Sequence, residues 1–250
     1  MKRFLILVYG VACYAIFLVT FLYAIGFVGG IGVPKSIDSA PTLGLGAAVA
    51  INLLLLGAFA LQHSVMARPA FKRAWTRIVP AAAERSTYVL FSSLALMLLF
   101  WQWQPMGLVI WQVDNAFGRV LLYAGFAFGW ALVFVSTLLL NHFDLFGLRQ
   151  VWLQFRGRPY TDLPFKTPGL YRIVRHPLYV GWFFAFWSTP VMTAAHFVFA
   201  LMTTVYILIA IRLEERDLVA ALPEYAEYRR RVPMIVPRIA PARRTGDAAG

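Results

Sequence analysis

The feature that most constrains the fold is a run of 35 residues, 177–211, that contains no Asp, Glu, Lys or Arg. As a single helix this run would be about 52 Å long at 1.5 Å per residue, whereas the hydrocarbon core of a membrane is about 30 Å thick. Pro190 lies inside the run, where it removes a backbone donor and disfavours helix in the residue before it. The run therefore predicts a helical hairpin, with arms of about 15 residues each and an uncharged tip near residues 193–196.

The composition indicates a membrane protein. Of the 250 residues, 60% are hydrophobic and 14% are charged, which is far more apolar than a soluble globule of this size. Lys and Arg outnumber Asp and Glu by 23 to 11, but they cluster beside apolar spans, and no nucleic-acid-binding motif is recognised. Cys13 is the single cysteine, so an internal disulfide is excluded. We therefore expect an integral membrane protein that does not bind nucleic acid.

Four apolar segments precede the hairpin and predict an all-α bundle of about six transmembrane helices. They are residues 4–28, 43–66, 86–113 and 120–140. The loops after the second and fourth spans, and the sequence after the sixth, are strongly basic, which places them and both termini on the cytoplasmic side of a bacterial inner membrane. Trp101, Trp103 and Trp111 indicate an aromatic belt at the opposite surface. We expect a single domain over residues 1–237 and a disordered tail over residues 238–250.

Polar residues stand at both ends of the hairpin. Arg175 and His176 open it, and Glu214 and Glu215 close it. The return of the chain would bring the two groups to one membrane face, above one pocket beside the lipid. Taken singly, the His-Pro pair could simply start a helix, where proline is tolerated at the first position, and the glutamates could form ion pairs on a solvated helix end. Together they favour a site.

The sequence pattern around the hairpin resembles a known superfamily. R-H-P-x-Y-x-G at 175–181, with Gly-Leu-Tyr before it at 169–171 and the Glu pair and Tyr-x-x-Tyr at 225–228 after it, is similar to the isoprenylcysteine carboxyl methyltransferase and phospholipid methyltransferase superfamily of membrane enzymes. Segments 19–29, 33–39 and 141–151 look like those of bacterial methanethiol S-methyltransferases, and NnrU-like membrane proteins share parts of this architecture. The resemblance implies S-adenosylmethionine-dependent methylation of methanethiol to dimethyl sulfide.

The resemblance also implies a set of cofactor-binding residues. Glu215 is the favoured acceptor for the ribose hydroxyls or the ammonium group, and Gly181 allows close approach of a backbone or ligand. Transfer of a methyl group to a thiol needs no metal, so no metal site is expected. The implied cofactor-binding residues are Tyr171, Arg175, His176, Tyr179, Gly181, Glu214 and Glu215.

Three polar side chains of the earlier spans are candidates for activating the thiol, because a thiolate attacks far better than a thiol. We expect His142 to act as the base or to orient the thiol, with Asp144 tuning it, because imidazole titrates near neutrality. His63, near the cytoplasmic end of the second span, is the rival. The alternative for each is a polar group at a helix end. His196, at the hairpin tip, is the least expected catalytic histidine.

Two other functions stay open at this stage. The same cofactor could serve a prenylcysteine carboxylate or a phospholipid amine, which would need a wide groove on the lipid side rather than a small cavity. A non-catalytic, NnrU-like membrane protein is the third possibility. The expected partners are a small volatile thiol and membrane lipid, and the sequence does not specify an oligomeric state.

Overall fold

The computed structural model describes residues 1–238, and within them it shows a helical bundle with one small sheet. The helices are α1 (Lys2–Gly29), α2 (Leu45–Ala67), α3 (Pro69–Trp75), α4 (Ala81–Gln102), α5 (Ala116–Leu140), α6 (His142–Leu145), α7 (Leu148–Phe155), α8 (Pro177–Trp187), α9 (Ala194–Ala221) and α10 (Pro223–Arg231). The strands are β1 (Val109–Gln112) and β2 (Val191–Thr193), and a 3-10 turn covers Gly169–Arg172. The predicted all-α membrane bundle is confirmed. The expected tail lies outside the described residues from position 239 onward.

Five helices, α1, α2, α4, α5 and α9, are long and apolar enough to cross a membrane, and the chain is an integral membrane protein. The remaining predicted span is α8, which has only 11 residues. Its length of about 16 Å is half the thickness of a hydrocarbon core. The bundle of about six transmembrane helices thus consists, in the described residues, of five long helices and the short α8.

The predicted hairpin is present, and Pro190 lies in its tip as expected. The prediction of equal arms was wrong, because α8 has 11 residues and α9 has 28. The turn occupies residues 188–193 rather than 193–196, and β2 within it pairs with β1 in an antiparallel sheet. The backbone N–H of Val113 donates to the carbonyl of Pro190 across 2.8 Å. This sheet fixes the tip of the hairpin to the loop between α4 and α5.

Helices α5 and α8 pack backbone against backbone. Gly125 lies beside Ser188 and Gly129 beside Ala185, so the two helices run antiparallel. A Cβ atom at Gly181 would lie 2.8 Å from the carbonyl oxygen of Gly129, which is closer than side chains normally approach. Glycine at these positions therefore lets α5 set the position of α8, and with it the position of the motif at the start of α8.

The core packs aromatic residues from α1, α4, α8 and α9. Trp103 is fully buried there, against Phe27 and Phe199, so its assignment to an interfacial belt was wrong. Trp101 is 71% exposed. The loop after α4 turns Trp103 inward, because its backbone is held by Asn52, whose side chain bonds both the N–H and the carbonyl of Gln104.

Helix α9 returns along α8 to the level of the motif. The Trp187 indole N–H donates to Thr204 across 2.9 Å, and Phe186 packs edge-to-face on Phe199. At the tip, buried His196 bonds Asp38 through Nδ1 at 3.2 Å and the carbonyl of Phe186 through Nε2 at 2.9 Å. His196 therefore connects the hairpin tip to the loop after α1. This is a structural role, and His196 stays the least expected of the catalytic histidines.

Candidate active site

Glu215 is the point where the two ends of the hairpin meet. Its Oε1 atom accepts hydrogen bonds from Arg175 Nε at 2.6 Å, from His176 Nε2 at 3.0 Å and from the Tyr225 hydroxyl at 3.4 Å. Only 9% of the Glu215 side chain is exposed. The Oε2 atom lies 4.0 Å from Arg229 Nε. A single carboxylate therefore joins the start of α8, the end of α9 and α10.

Arg175 and His176, which begin the hairpin, also hold the segment that follows α10. The Arg175 guanidinium donates to the carbonyls of Arg229 and Val232. The backbone N–H groups of Arg175 and His176 donate to the carbonyls of Pro233 and Met234, at 2.9 and 3.1 Å. Arg175 and His176 thus use most of their hydrogen-bonding capacity to hold protein segments together.

Tyr171 belongs to the same structural group. Its carbonyl accepts from the Tyr228 hydroxyl at 2.6 Å, and its own hydroxyl lies 3.5 Å from the carbonyl oxygen of Ser136 in α5. Burial, and secondarily the charge of Glu214, raise the pKa of Tyr171. Burial likewise raises the pKa of Tyr228 to about 12. Both phenols therefore remain neutral hydrogen-bond donors at physiological pH.

The two adjacent glutamates have different environments. Glu214 is exposed, and its Oε2 atom accepts from the Tyr179 hydroxyl at 2.9 Å. Glu215 is buried and already holds three donors on one oxygen. The expectation that Glu215 binds the ligand stays a prediction: Glu214 is the more exposed carboxylate, whereas Glu215 is the one that lines the adjoining cavity. Gly181 faces α5 rather than the space beside the glutamates, so its close approach is to a helix backbone.

An open cavity of about 430 Å³ lies against this cluster. Its lining is formed by Arg175, Arg212, Glu215, Arg216, Val219 and Arg229. Guanidinium groups suit a carboxylate, and the Glu215 carboxylate in the lining suits an ammonium group or hydroxyls. The cavity therefore matches a ligand that carries charges of both signs.

His142 does not line this cavity. It lies at the junction of α5, α6 and α1. The hydroxyl of Thr137 donates to the carbonyl of Phe134 at 2.7 Å, so it accepts from His142 Nδ1–H at 2.8 Å. The Nε2 lone pair then accepts from the hydroxyl of Tyr14, also at 2.8 Å. Burial lowers the pKa of His142 below its ordinary value, which favours this neutral form.

Asp144 does not tune His142, and this part of the prediction was wrong. Its carboxylate pairs with Arg149 at 2.9 Å and accepts from the hydroxyl of Tyr160 at 3.4 Å. The cause is the turn at Asn141, whose φ of 94° lies in the left-handed region and whose side chain caps the backbone N–H of Asp144. This turn sends the two side chains in different directions.

His63 lies in α2, at a junction with α4 and α9. The hydroxyl of Tyr88 is 2.8 Å from Nε2 and 3.1 Å from Nδ1, and the hydroxyl of Ser92 is 3.1 Å from Nδ1. Tyr88 and Ser92 were missed in the sequence, where they stand next to other polar residues, Ser86, Thr87 and Ser93. Their spacing of four residues is the available signal, because it places them on one helix face.

The junction continues along α9 toward Glu214. The Ser64 hydroxyl is 3.1 Å from that of Tyr206 in α9, and Arg68, directly after α2, pairs with Asp217 of α9 at 2.9 Å. These contacts place the end of α2 that carries His63 beside the turns of α9 that lead to Glu214. No described contact connects His142 with the Tyr179–Glu214 pair.

Comparison with known proteins agrees with this arrangement. Residues 130–220, which include α8 and nearly all of α9, match the isoprenylcysteine carboxyl methyltransferase family model. A methanethiol S-methyltransferase of Crocosphaera subtropica is 60% identical over 96% of this chain and 94% of its own length. The chain belongs to the methanethiol S-methyltransferase family. The family member from Mycobacterium tuberculosis is 57% identical over 95% of this chain and 98% of its own length.

Membership of the methanethiol S-methyltransferase family makes the chain a membrane-embedded methyltransferase, which requires a methyl donor. The likeness extends more weakly to mouse nurim, which is 32% identical over 69% of this chain and 68% of its own length. No solved structure matches the chain.

Proposed function

We propose that the protein transfers the methyl group of S-adenosylmethionine to methanethiol, producing dimethyl sulfide and S-adenosylhomocysteine. The observation that carries the proposal is the meeting of the two hairpin ends beside a cavity of mixed charge. Support for the acceptor comes from the relatives named methanethiol S-methyltransferase, which match nearly the whole chain. In this proposal residues 1–237 act as one domain.

The residues around the cavity fit S-adenosylmethionine. Glu214 is exposed and held by a single phenol, so it can accept from the ammonium group or the ribose hydroxyls. Arg212 and Arg216 line the cavity and can bind the methionyl carboxylate. Arg175, His176 and Tyr171 act by holding Glu215 and the segment after α10 in place. When bound, the cofactor supplies a methyl group on a positively charged sulfur.

The protein's contribution to catalysis is then positioning and deprotonation. Holding two reactants in a near-attack arrangement can provide a large part of the rate enhancement. The acceptor must also lose a proton, because a thiolate is the effective nucleophile. We assign His142 a positioning role, since its described hydrogen bonds are to Tyr14 and Thr137 and none connects it with the Tyr179–Glu214 pair. Asp144 supports the same junction through Arg149.

The membrane location suits two reactants of opposite character. Methanethiol is small and apolar and can enter from the lipid, whereas a charged cofactor must enter from water. The basic loops follow α2 and α5, and the donor cavity lies among arginines of the same face. We propose that this face is cytoplasmic in a bacterial inner membrane, with both termini on the same side.

The test uses the full chain, purified in lipid nanodiscs, with S-adenosylmethionine labelled in the transferred methyl group. With methanethiol, labelled dimethyl sulfide should form, and His176→Ala should abolish its formation. Parallel reactions with a prenylcysteine and with membrane phospholipid test the other acceptors. Labelled prenylcysteine ester or methylated lipid, without dimethyl sulfide, would replace this proposal. Donor binding without transfer to any of the three would support the non-catalytic alternative.

A further inference from the structure

A cluster of polar side chains lies between α2, α4 and α9, where the surrounding helix surfaces are apolar. Its members are His63, Ser64, Tyr88, Ser92 and Tyr206. Polar groups inside membrane helices are costly and mark functional sites more often than structural ones. We propose that Tyr88 and His63 form the relay that removes the proton of the acceptor thiol. This inference rests on the proposed function and identifies the residues that activate its acceptor.

The hydrogen bonds of His63 leave it free to change its protonation state. Both of its ring nitrogens are bonded to hydroxyls, from Tyr88 and Ser92. A hydroxyl can donate or accept, and neither hydroxyl has a described bond to a backbone carbonyl. His63 can therefore gain or lose a proton while its ring stays in place, stacked on Phe59 at 5.2 Å.

His142 has a comparable set of partners. The Thr137 hydroxyl commits its one proton to a backbone carbonyl, which fixes Nδ1 of His142 as a donor and leaves Nε2 to Tyr14. The two buried histidines therefore differ in place. His63 lies beside α9, whose Tyr206 contacts Ser64, whereas no described contact connects His142 with the Tyr179–Glu214 pair.

The cluster lies on the membrane side of the donor site. Tyr206 precedes Glu214 by eight residues of α9, or about 12 Å along the helix axis, and its hydroxyl contacts Ser64 of the cluster at 3.1 Å. The Arg68–Asp217 pair then joins the end of α2 to α9 three residues beyond Glu214. An apolar thiol that enters from the lipid would therefore meet Tyr88 before it reaches the bound methyl donor.

The proton transfer can be written with all atoms accounted for. The thiol S–H bond breaks and its proton passes to the oxygen of Tyr88, while the hydroxyl proton of Tyr88 passes to Nε2 of His63. The electron pair left on the thiol sulfur forms the new bond to the methyl carbon. The old bond from that carbon to the donor sulfur breaks, and its electron pair stays on the donor. His63 afterwards returns its proton to water.

An exit for this proton is available on the side of the basic loops. The Arg68 Nε donates to the carbonyl of Ser64 at 3.3 Å, and its Nη1 pairs with Asp217 at 2.9 Å. This pair is about one third exposed. Arg85 also faces the cluster, with its guanidinium 5.9 Å from the centre of the Tyr88 ring. The cluster is therefore within reach of solvent through a charged surface.

The test compares Tyr88→Phe with Tyr9→Phe. The first removes one hydroxyl from the relay, and the second removes a hydroxyl of α1 that bonds Thr87 of α4 and has no described contact with the relay. We expect Tyr88→Phe and His63→Gln to lower kcat by about 100-fold, the usual effect of losing a general base. Donor affinity, measured by calorimetry, should stay unchanged in both. Tyr9→Phe should keep wild-type kcat.

A second measurement needs no methyl donor. In the full chain with ¹⁵N-labelled histidines, methanethiol alone should shift the ring nitrogens of His63 in wild type and Tyr9→Phe, and not in Tyr88→Phe. An active wild type together with an equally active Tyr88→Phe would overturn the relay alone. A wild type that forms no dimethyl sulfide would overturn the proposed function and the relay with it. Loss of kcat in His142→Gln but not in His63→Gln would return the base to His142.

Discussion

Arg175 Nε lies 2.6 Å from Glu215 Oε1, and this contact joins the beginning of the hairpin to its end. Both side chains are about nine-tenths buried, with 10% and 9% exposed. His176 and Tyr225 donate to the same oxygen. The pair therefore holds the start of α8 and the end of α9 together, and the neighbouring Glu214 is exposed.

Replacing Glu215 by Gln should destabilise the protein. The change leaves Arg175 with a neutral partner in a buried place, and breaking such a pair costs about 3 kcal/mol. Thermal unfolding in nanodiscs should show a lower Tm. The matched control is Glu227→Gln, because Glu227 pairs with Arg231 on the exposed surface and such pairs contribute little. Equal melting of both variants would contradict the central role of Glu215.

Replacing Glu214 by Gln should give the opposite pattern. The Tm should be unchanged, because Glu214 is exposed and has one phenol partner. Affinity for S-adenosylmethionine should fall about tenfold or more, since losing a hydrogen bond to a charged group costs about 1.5 to 3 kcal/mol. Titration calorimetry measures this directly. Full affinity in Glu214→Gln would assign the ligand contact to Glu215, as the sequence resemblance implies.

The stability of the protein should depend on pH through His142. Burial lowers its pKa from 6.5 in the folded state, so the unfolded chain binds the proton more readily. Stability is then fully present above about pH 6.5 and is lost as the pH falls below it. Measured Tm values between pH 7.5 and about 5 should show this slope in the wild type and a reduced slope in His142→Gln. An identical slope in the variant would assign the effect to other groups.

Replacing Gly181 by Ala should separate α8 from α5. The added methyl group would lie 2.8 Å from the Gly129 carbonyl oxygen and from Val133, and such overpacking costs about 1 to 3 kcal/mol. Gly57→Ala is the control, because nothing lies within 4 Å of a Cβ at that position in α2. The control should be neutral or stabilising. Donor binding should weaken only in Gly181→Ala, as the motif moves with α8.

The sequence was a good guide to the long helices and to the meeting of the hairpin ends. A charge-free run interrupted by proline leaves few options in a membrane, and charges at its ends must then lie on one side. It gave no sign of β1, because Val109–Gln112 continues an apolar segment and strand pairing with β2 depends on a contact distant in the chain. For the same reason it suggested a long first arm rather than the 11-residue α8.

The division of roles within the site could not be predicted in the same way. Glu214 and Glu215 are adjacent and chemically identical, and only the rotation of α9 decides which one meets Arg175. Asp144 appeared to be a partner of His142 because it is two residues away, but the left-handed turn at Asn141 separates them. Tyr88 is one of several polar residues of α4, and its importance in the proposed relay depends on α2 and α9 packing beside it.

The backbone bonds from Arg175 and His176 to Pro233 and Met234 have a consequence for the order of assembly. All five long helices end before residue 222, so a chain emerging from the ribosome can insert every one of them before the last wall of the donor site exists. Insertion of the helices into the membrane and completion of the proposed ligand site are thus separate steps of biosynthesis. A chain that stops after α9 would remain in the bilayer as an inserted protein without a place for its methyl donor.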